Sequence, residues 1–320
     1  GGSYLTKILY DRGYMVLGTT RDLHAANLQG LEYLGARERV KLLQLDVCNS
    51  EEVRDIVERW QPDEIYNFAA PSSVAMSFKT PVTVTESMVL GNLNLLEAIR
   101  QVKKDVRFLE ASTSEMYGNC REPANELTAM DPYSPYGVAK TAAFHQTRNY
   151  RESYGLHASA AIFFNFESPL RPSTFVTRKI IRGVVDILQG RTDRLHLGNL
   201  SIARDWGWAP EYMLAAHEML QQEQPRDLVL ATGKPYSLQD FVKLSFDAVG
   251  LDHEGHVVTD DQLYRPKEII CSVGDPSVAE SIIGWRAKTL LPDIISKMIE
   301  EELKLSQPAA AHGTDRSLTH

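Results

Sequence analysis

Two side chains that could move a proton lie four residues apart, Tyr136 and Lys140, in the segment YSPYGVAK. Residues at this spacing share one face of a helix, so the Lys140 ammonium group can approach the Tyr136 hydroxyl and favour its phenolate form. A phenol with an ordinary pKa of about 10 would then serve as a base near neutral pH. The alternative is an ordinary surface tyrosine and lysine, because this spacing also occurs by chance.

A polar cluster, Ser112 to Glu115, follows a predicted strand over residues 106–112. Parallel α/β sheets bind ligands at the carboxyl ends of their strands. Thr113 and Glu115 are two residues apart, so in extended chain they point to the same side. Thr113 could polarise a substrate oxygen while Glu115 takes and returns a proton. A helix or loop cap is the other interpretation of Glu115.

The beginning of the chain carries a weaker signal for nucleotide binding. Gly1 and Gly2 precede a predicted helix over 3–12, and glycine at a helix N-terminus lets backbone amides approach a phosphate. Arg21 follows the next strand, where an arginine favours the phosphate of NADP, while the adjacent Asp22 leaves NAD open. A flexible start and a solvated surface pair are the alternatives.

The elements that must position these residues alternate between apolar runs and amphipathic stretches, which is typical of βαβ units. We predict helices over 3–12, 50–59, 83–103 and 135–154 and strands over 14–19, 41–45, 63–68, 106–112 and 157–164. The predicted fold class is α/β, a doubly wound, Rossmann-like parallel sheet with a smaller mixed α/β lobe.

Two domains and a tail are predicted. Residues 1–165 form the dinucleotide-binding domain, 166–304 form mainly a second lobe, the segment around 227–248 could rejoin the first domain, and 305–320 form the tail. After residue 165 we predict helices over 174–189, 209–223, 237–248, 276–283 and 291–304 and a strand over 227–232.

Composition excludes several classes of function. The 320 residues carry 34 basic and 42 acidic side chains, a net charge of −8, which disfavours nucleic acid as a partner. The longest apolar runs are too short for a membrane span. Cys48, Cys120 and Cys271 are isolated from one another and from any zinc-ligand pattern, so we expect no metal and a cytoplasmic location.

Taken in order, these motifs and their neighbours resemble the extended short-chain dehydrogenase/reductases, and within them the GDP-mannose 4,6-dehydratase family, from about Gly2 to residue 304. The segments that carry the resemblance are ASTSEMYG (111–118), SPYGVAK (134–140), NYRESYGLHAS (149–159), FNFESPLRP (164–172), TFVTRKI (174–180), LGNLSIARDWGWAPEY (197–212), ATG (231–233), YRP (264–266) and GDPSVA (274–279).

The resemblance implies a redox-neutral dehydration of GDP-mannose to GDP-4-keto-6-deoxymannose. Tyr136 would take the proton of the 4-hydroxyl, and Thr113 would hydrogen-bond to the 4-oxygen. Glu115 would take the proton of carbon 5 and protonate the departing 6-hydroxyl. Lys140 would also hold the nicotinamide ribose, and the chain would form a homodimer or a homotetramer.

The same resemblance implies two sets of binding residues. The residues expected around NADP, or NAD, are Gly2, Arg21, Asp46, Val47, Ala69, Ala70, Tyr136, Lys140 and Arg171. The residues expected around the GDP-hexose are Asn165, Lys179, Arg204, Arg265 and Glu268.

Two departures from the family pattern are visible. Gly2 corresponds to the last glycine of the family's phosphate loop, so the family's first strand and two loop glycines have no counterpart in residues 1–320. Phe166 stands where the family usually has a histidine near the cofactor. A non-catalytic sugar-nucleotide-binding scaffold, or an epimerase or reductase of the same fold, is therefore the alternative function, and Glu115 is the residue that favours a dehydratase.

Overall fold

The structure is a computed structural model that describes residues 1–120, 122–263 and 267–306. The helices are α1 (Gly2–Asp11), α2 (Gln29–Tyr33), α3 (Ser50–Trp60), α4 (Val74–Ser77), α5 (Pro81–Thr85), α6 (Gly91–Val102), α7 (Pro135–Tyr154), α8 (Val176–Leu188), α9 (Ala209–Gln221), α10 (Leu238–Asp247), α11 (Ser277–Ile283) and α12 (Leu291–Ser306). The strands are β1 (Val16–Thr20), β2 (Val40–Gln44), β3 (Glu64–Asn67), β4 (Arg107–Thr113), β5 (Ala158–Phe163), β6 (Asn165–Glu167), β7 (Leu195–Leu197), β8 (Ala203–Trp208), β9 (Leu228–Leu230), β10 (Pro235–Ser237), β11 (Val257–Thr259) and β12 (Cys271–Ser272).

A four-stranded parallel sheet with the order β3-β4-β5-β9 forms the centre of the first half of the chain. All six residues of β5 are buried, which explains why its sequence, ASAAIF, is apolar without alternation. One face packs against α9, which in turn packs against α1, and the other face packs against α7, beside α3 and α6. The predicted doubly wound α/β fold is confirmed.

The predicted sheet is nevertheless interrupted. Within the described residues β1 pairs only with β2, in a separate parallel sheet of two strands. A cavity of about 860 Å³ lies between the two sheets, and its walls include every residue of β1 and of β3. In the usual order of a doubly wound sheet, 3-2-1-4-5-6, this is the place of the first strand. The described residues place no strand there, so β1 and β3 are not hydrogen-bonded neighbours.

We expect this interruption to appear in hydrogen exchange. An isolated pair of strands is only marginally stable, and local opening free energies range from near zero to the global value. Amides of β1 and β2 should therefore exchange at least about 100-fold faster than those of β4 and β5. Exchange followed by mass spectrometry of peptides from 16–44 and 107–163 measures this ratio. Equal protection of the two sheets would contradict it.

The second half of the chain has its own core. Strands β10, β8 and β12 form one sheet, β6 also pairs with β8, and β7 pairs with β11. Helices α8, α10 and α12 pack together over this region. Strand β9 lies beside β5 in the first sheet, whereas α10 belongs to the second core.

Several elements differ from the sequence prediction, which contained neither α2 nor α4. The single helix predicted over 83–103 is α5, then a π-helical stretch over Glu86–Leu90, then α6, because an insertion of this kind is not visible in apolar periodicity. The short strands β6, β7, β8, β10, β11 and β12 were not predicted. Of the predicted tail over 305–320, Leu305 and Ser306 end α12, and the remainder lies outside the described residues.

Candidate active site

Tyr136 and Lys140, the first two residues of the candidate site, lie in the first two turns of α7. Ser134 caps the helix, its Oγ accepting a hydrogen bond of 3.0 Å from the Gly137 amide, and Pro135 occupies the first helical position. Tyr136 therefore lies in the first turn and Lys140 one turn later. Both face the carboxyl end of β4, since Lys140 contacts that strand directly.

The other two residues of the candidate site, Thr113 and Glu115, lie at the carboxyl end of β4 and in the turn that follows it. Thr113 is its last residue, and Glu115 lies in the following single turn of 3-10 helix, where its backbone amide donates to Thr113 Oγ1 at 3.3 Å. The Thr113 side chain also hydrogen-bonds with the Tyr136 hydroxyl, and the charge of Glu115 acts on that hydroxyl. The structure thus places Thr113, Glu115, Tyr136 and Lys140 in one site.

The electrostatic environment of Tyr136 is mixed. Loss of hydration is the largest influence and raises the pKa of its phenol. The charge of Lys140 and the hydrogen bond with Thr113 lower it, while the charges of Glu115 and Glu110 raise it. The pKa of Tyr136 is above its ordinary value, so Lys140 reduces the cost of forming the phenolate without removing it.

The sequence did not predict the partner of Lys140. Its Nζ donates to Glu110 Oε1 at 2.9 Å and to the carbonyl oxygen of Ala111 at 2.6 Å. Lys140 and Glu110 are only 5% and 1% exposed. The available signal was a glutamate inside the otherwise apolar run FLEA (108–111), since a carboxylate in a buried strand needs a partner.

Gly137 allows α7 to approach the turn that carries Glu115. A Cβ atom at this position would lie 2.8 Å from the Glu115 carbonyl oxygen and 3.0 Å from Pro132 Cβ. Because backbone atoms cannot give way as a flexible side chain can, glycine is required here for close packing. In SPYGVAK (134–140), Gly137 therefore sets the distance between α7 and the turn that carries Glu115.

Replacement of Gly137 by alanine is accordingly expected to displace Glu115 from Tyr136. A misplacement of about 1 Å in an active site can cost about 100-fold in rate, and we expect a loss of turnover between about 10-fold and 100-fold. Product formation by mass spectrometry measures it. Val138→Ala is the matched control, since the adjacent Val138 side chain is exposed, and it should keep full turnover. Unchanged turnover in Gly137→Ala would contradict the role of this close approach.

The residues expected near the cofactor lie at the same edge of the sheets. Arg21 follows β1, Asp46 and Val47 follow β2, and Ala69 and Ala70 follow β3. Arg21 and Ala69 are exposed, and Val47 is buried. The carboxyl ends of four parallel strands therefore carry these residues and the candidate catalytic pair, as expected for a doubly wound sheet.

The amino end of α1 provides a second feature of this edge. Space is open beside Gly2, since a Cβ atom there would meet nothing within 4 Å. The charge of Arg171 acts on Gly1, the residue before α1, so the guanidinium lies near this helix end. Arg171 Nε is 3.2 Å from Glu167 Oε2, and the guanidinium lies 3.9 Å from the Phe175 ring centroid. A helix N-terminus and an arginine together suit an anionic group.

Phe166 lies in an aromatic cluster. Its ring centroid is 5.4 Å from that of Phe163 and 5.6 Å from that of Tyr212. Phe166 thus contributes apolar contact to the core beneath the site.

Two of the residues expected around the substrate lie together. Arg204 is buried on β8, its Nη1 donating to the Ile269 carbonyl oxygen at 2.8 Å, and its Nη2 lies 3.9 Å from Glu268 Oε1. These contacts fix the Arg204 side chain.

Of the remaining residues expected around the substrate, the two that the structure describes lie on different elements. Asn165 is the first residue of β6, in register with Trp206 of β8. Lys179 is exposed on α8. Arg265 lies outside the described residues.

The described ranges contain no group of three or more histidine, cysteine, aspartate or glutamate side chains arranged to hold a metal ion. Within the same ranges, no helix has the length and apolar character needed to cross a bilayer.

The fold and the arrangement of Tyr136 and Lys140 beside the end of β4 define the class, the extended short-chain dehydrogenase/reductase fold. UDP-glucose 4-epimerase of Thermotoga maritima, solved with UDP-glucose, is similar with a TM-score of 0.83 and 22% identity, covering 96% of each chain. The dTDP-glucose 4,6-dehydratase of Bacillus anthracis, solved with NAD, has a TM-score of 0.82 and 17% identity, covering 96% of this chain and 94% of that one.

Sequence comparison gives the family. A family model described as GDP-mannose 4,6 dehydratase matches residues 1–298. The GDP-mannose 4,6-dehydratase of Sinorhizobium fredii is 41% identical over 327 residues, covering 94% of this chain and 93% of that protein. GDP-mannose 4,6 dehydratase 1 of Arabidopsis thaliana is 39% identical over 316 residues, covering 96% and 88%. This chain belongs to the GDP-mannose 4,6-dehydratase family.

Proposed function

We propose that this protein converts GDP-mannose to GDP-4-keto-6-deoxymannose by eliminating water. The observation that carries the proposal is the cluster of Thr113, Glu115, Tyr136 and Lys140 at the end of β4, in a chain of this family. A simple reductase or epimerase needs a base for a hydroxyl proton. The carboxylate of Glu115 beside that base supplies the second proton acceptor that an elimination requires.

The carboxyl edge of the sheets fits a nicotinamide dinucleotide. The open space beside Gly2 at the amino end of α1 and the nearby guanidinium of Arg171 suit a diphosphate. Residues Arg21, Asp46, Val47, Ala69 and Ala70 would then contact the adenosine half, and Lys140 the ribose next to the nicotinamide. When bound, such a cofactor supplies a reversible hydride acceptor.

The protein's own residues then handle two protons and one hydroxyl group. Tyr136 accepts the proton of the sugar 4-hydroxyl, and Thr113 orients the 4-oxygen by a hydrogen bond. The resulting 4-keto group acidifies the proton on carbon 5, which Glu115 accepts. Glu115 then donates a proton to the departing 6-hydroxyl, so that water leaves and the carboxylate is restored. A double bond between carbons 5 and 6 remains, and carbon 5 needs one proton as the hydride returns to carbon 6. The proton that Tyr136 accepted balances this one, so Tyr136 also returns to its starting form. Each positioned proton transfer contributes about 10²- to 10⁴-fold.

The nucleotide end of the substrate would lie against the second core. Arg204 is held rigidly by Glu268 and by the Ile269 carbonyl, and a fixed guanidinium suits the phosphates of a GDP-hexose. We propose Asn165 and Lys179 as further contacts, together with Arg265.

Cofactor preference, assembly and compartment are part of the same proposal. Arg21 at the end of β1 favours NADP over NAD, because an arginine there can pair with the additional phosphate. Three cysteines that are all free favour a reducing compartment such as the cytoplasm. We propose a homodimer or homotetramer on family grounds.

The function is tested by incubating the protein with GDP-mannose and either NADP or NAD. Mass spectrometry should find a product that has lost one water and that reacts with a carbonyl reagent. A product of unchanged mass would indicate an epimerase and overturn the proposal. Binding of GDP-mannose without any turnover, in the presence of either cofactor, would indicate the scaffold instead.

A further inference from the structure

The buried carboxylate of Glu110 pairs with Lys140, which lies one helical turn from the proposed base Tyr136. Glu110 on β4 is 1% exposed, and its neighbours in the strand, Phe108 and Leu109, are fully buried. A charge in such surroundings is costly unless it is paired. In the part of the chain that the structure describes, Lys140 is the one basic side chain within ion-pair distance of Glu110, at 2.9 Å.

The geometry of this pair is constrained from two sides. Lys140 Nζ donates to Glu110 Oε1 and to the carbonyl oxygen of Ala111, which are adjacent residues of one strand. Glu110 Oε2 is buried and has no hydrogen-bond partner within residues 1–120, 122–263 and 267–306. Among the residues that the structure describes, Lys140 therefore provides the one hydrogen bond to this carboxylate, and Lys140 in turn is held on the strand side of α7.

Among the described residues, the neighbouring side chains from β3, α5 and α6 and from the π-helical stretch over Glu86–Leu90 are uncharged. From β3, Asn67 lies opposite Glu110 in register and donates to Asn92 of α6 at 3.2 Å. On the other side of Tyr136, Val84 and Met88 provide apolar contact. Asn67, Asn92, Val84 and Met88 are all uncharged.

The titratable groups that act on the site are few. Burial favours the neutral form of Lys140, and Glu110 and Tyr136 oppose this and raise its pKa. Glu115, on the 3-10 turn, acts on Tyr136. Lys140 can favour the Tyr136 phenolate only while it is charged.

We propose that Glu110 is a positioning residue, whose carboxylate keeps the Lys140 ammonium group charged and fixed beside Tyr136 during the reaction. This inference deepens the proposed function and rests on it for the role of Tyr136. Glu110 itself does not touch substrate. It acts through Lys140.

The first test uses the protein without cofactor or substrate, so it is independent of turnover. In Glu110→Gln the amide keeps the size of the side chain and an acceptor oxygen but removes the charge. Burial should then lower the folded-state pKa of Lys140 below its unfolded value, 10.5. Over the pH range between the two values the unfolded chain binds more protons, so stability rises with pH.

Urea unfolding between about pH 8 and 10 measures this effect. Two proteins are compared, the Glu110→Gln variant and the double variant Glu110→Gln/Lys140→Met. The difference between their free energies of unfolding isolates the contribution of Lys140, and this difference should rise with pH. In the wild type the folded-state pKa of Lys140 lies above 10.5. Its contribution is therefore fully present at lower pH and is lost only above that value, so Lys140 should add no such rise to the stability of the wild type between about pH 8 and 10. A flat difference in the Glu110→Gln pair would overturn the proposal.

The second test is the pH profile of turnover. In Glu110→Gln, turnover should decrease at alkaline pH because Lys140 loses its proton. This decrease should begin at least about one pH unit lower than any alkaline decrease in the wild type. Glu110→Asp keeps the charge but shortens the side chain, so it should lower turnover without adding this alkaline fall. Glu126→Gln is a matched control, since Glu126 accepts a hydrogen bond from the Val229 amide away from the site, and its profile should match the wild type.

The outcomes separate the two proposals. A rising stability difference with an unshifted pH profile would show that Glu110 serves structure alone and would overturn the positioning role. If no variant, including the wild type, turns over GDP-mannose, the proposed function fails, while the unfolding experiment still decides whether Glu110 keeps Lys140 charged. If Glu110→Gln does not fold, Glu110→Asp decides: turnover equal to the wild type would overturn the positioning role.

Discussion

Tyr136→Phe is expected to lower turnover of GDP-mannose by about 10²- to 10⁴-fold, the usual contribution of a positioned base. Phenylalanine keeps the ring that packs against Val84 and Met88 and removes only the hydroxyl. That hydroxyl is the group that interacts with Thr113 and Lys140. The fold should therefore remain intact while the proton acceptor is lost.

The measurement is the rate of product formation together with the affinity for GDP-mannose by calorimetry. This affinity should change less than about threefold, because the proposed role of the hydroxyl is in the transition state and not in ground-state binding. Tyr154→Phe is the matched control, since it lies on the same helix but is 48% exposed and far along α7. Its turnover should equal that of the wild type. Turnover of Tyr136→Phe within a small factor of the wild type would remove Tyr136 from the reaction.

Glu115→Gln is expected to slow water elimination by a similar factor, about 10²- to 10⁴-fold. Glutamine has nearly the same shape and can hydrogen-bond, but it cannot accept the proton of carbon 5. Since the charge of Glu115 raises the pKa of Tyr136, removing that charge should lower the pKa of the phenol and leave its role as a base available. Binding of the sugar nucleotide should persist.

Mass spectrometry of the product and calorimetric binding distinguish these effects. Glu122→Gln, an exposed glutamate seven residues further along, is the control and should retain turnover. Dehydration at the wild-type rate in Glu115→Gln would be incompatible with the role assigned to the carboxylate. Loss of binding would instead indicate that Glu115 contacts the substrate in its ground state.

Much of the candidate site could be predicted because the signals are local. The spacing of Tyr136 and Lys140 is a property of one helix, and the spacing of Thr113 and Glu115 is a property of one strand end. The strand predicted over 157–164 is β5, Ala158–Phe163, because a fully buried strand is recognisable as a continuous apolar run.

The remainder depends on contacts between distant segments. Glu110 pairs with Lys140 across 30 residues, and nothing in the sequence near Glu110 states which group will lie above it. The short strands such as β6 and β12 contain too few residues for a period to be visible. The cavity between β1 and β3, in contrast, lies where the family pattern has a first strand, for which residues 1–320 contain no counterpart.

The central claim is that one site removes two protons from a single hexose while a hydride leaves and returns within the same sugar. GDP-mannose carrying deuterium at carbon 4 tests it directly. The account predicts a product that has lost water and carries the deuterium at carbon 6, located by fragmentation in the mass spectrometer or by NMR. A dehydrated product without the label, or a labelled product that still contains all of its oxygen, would contradict it.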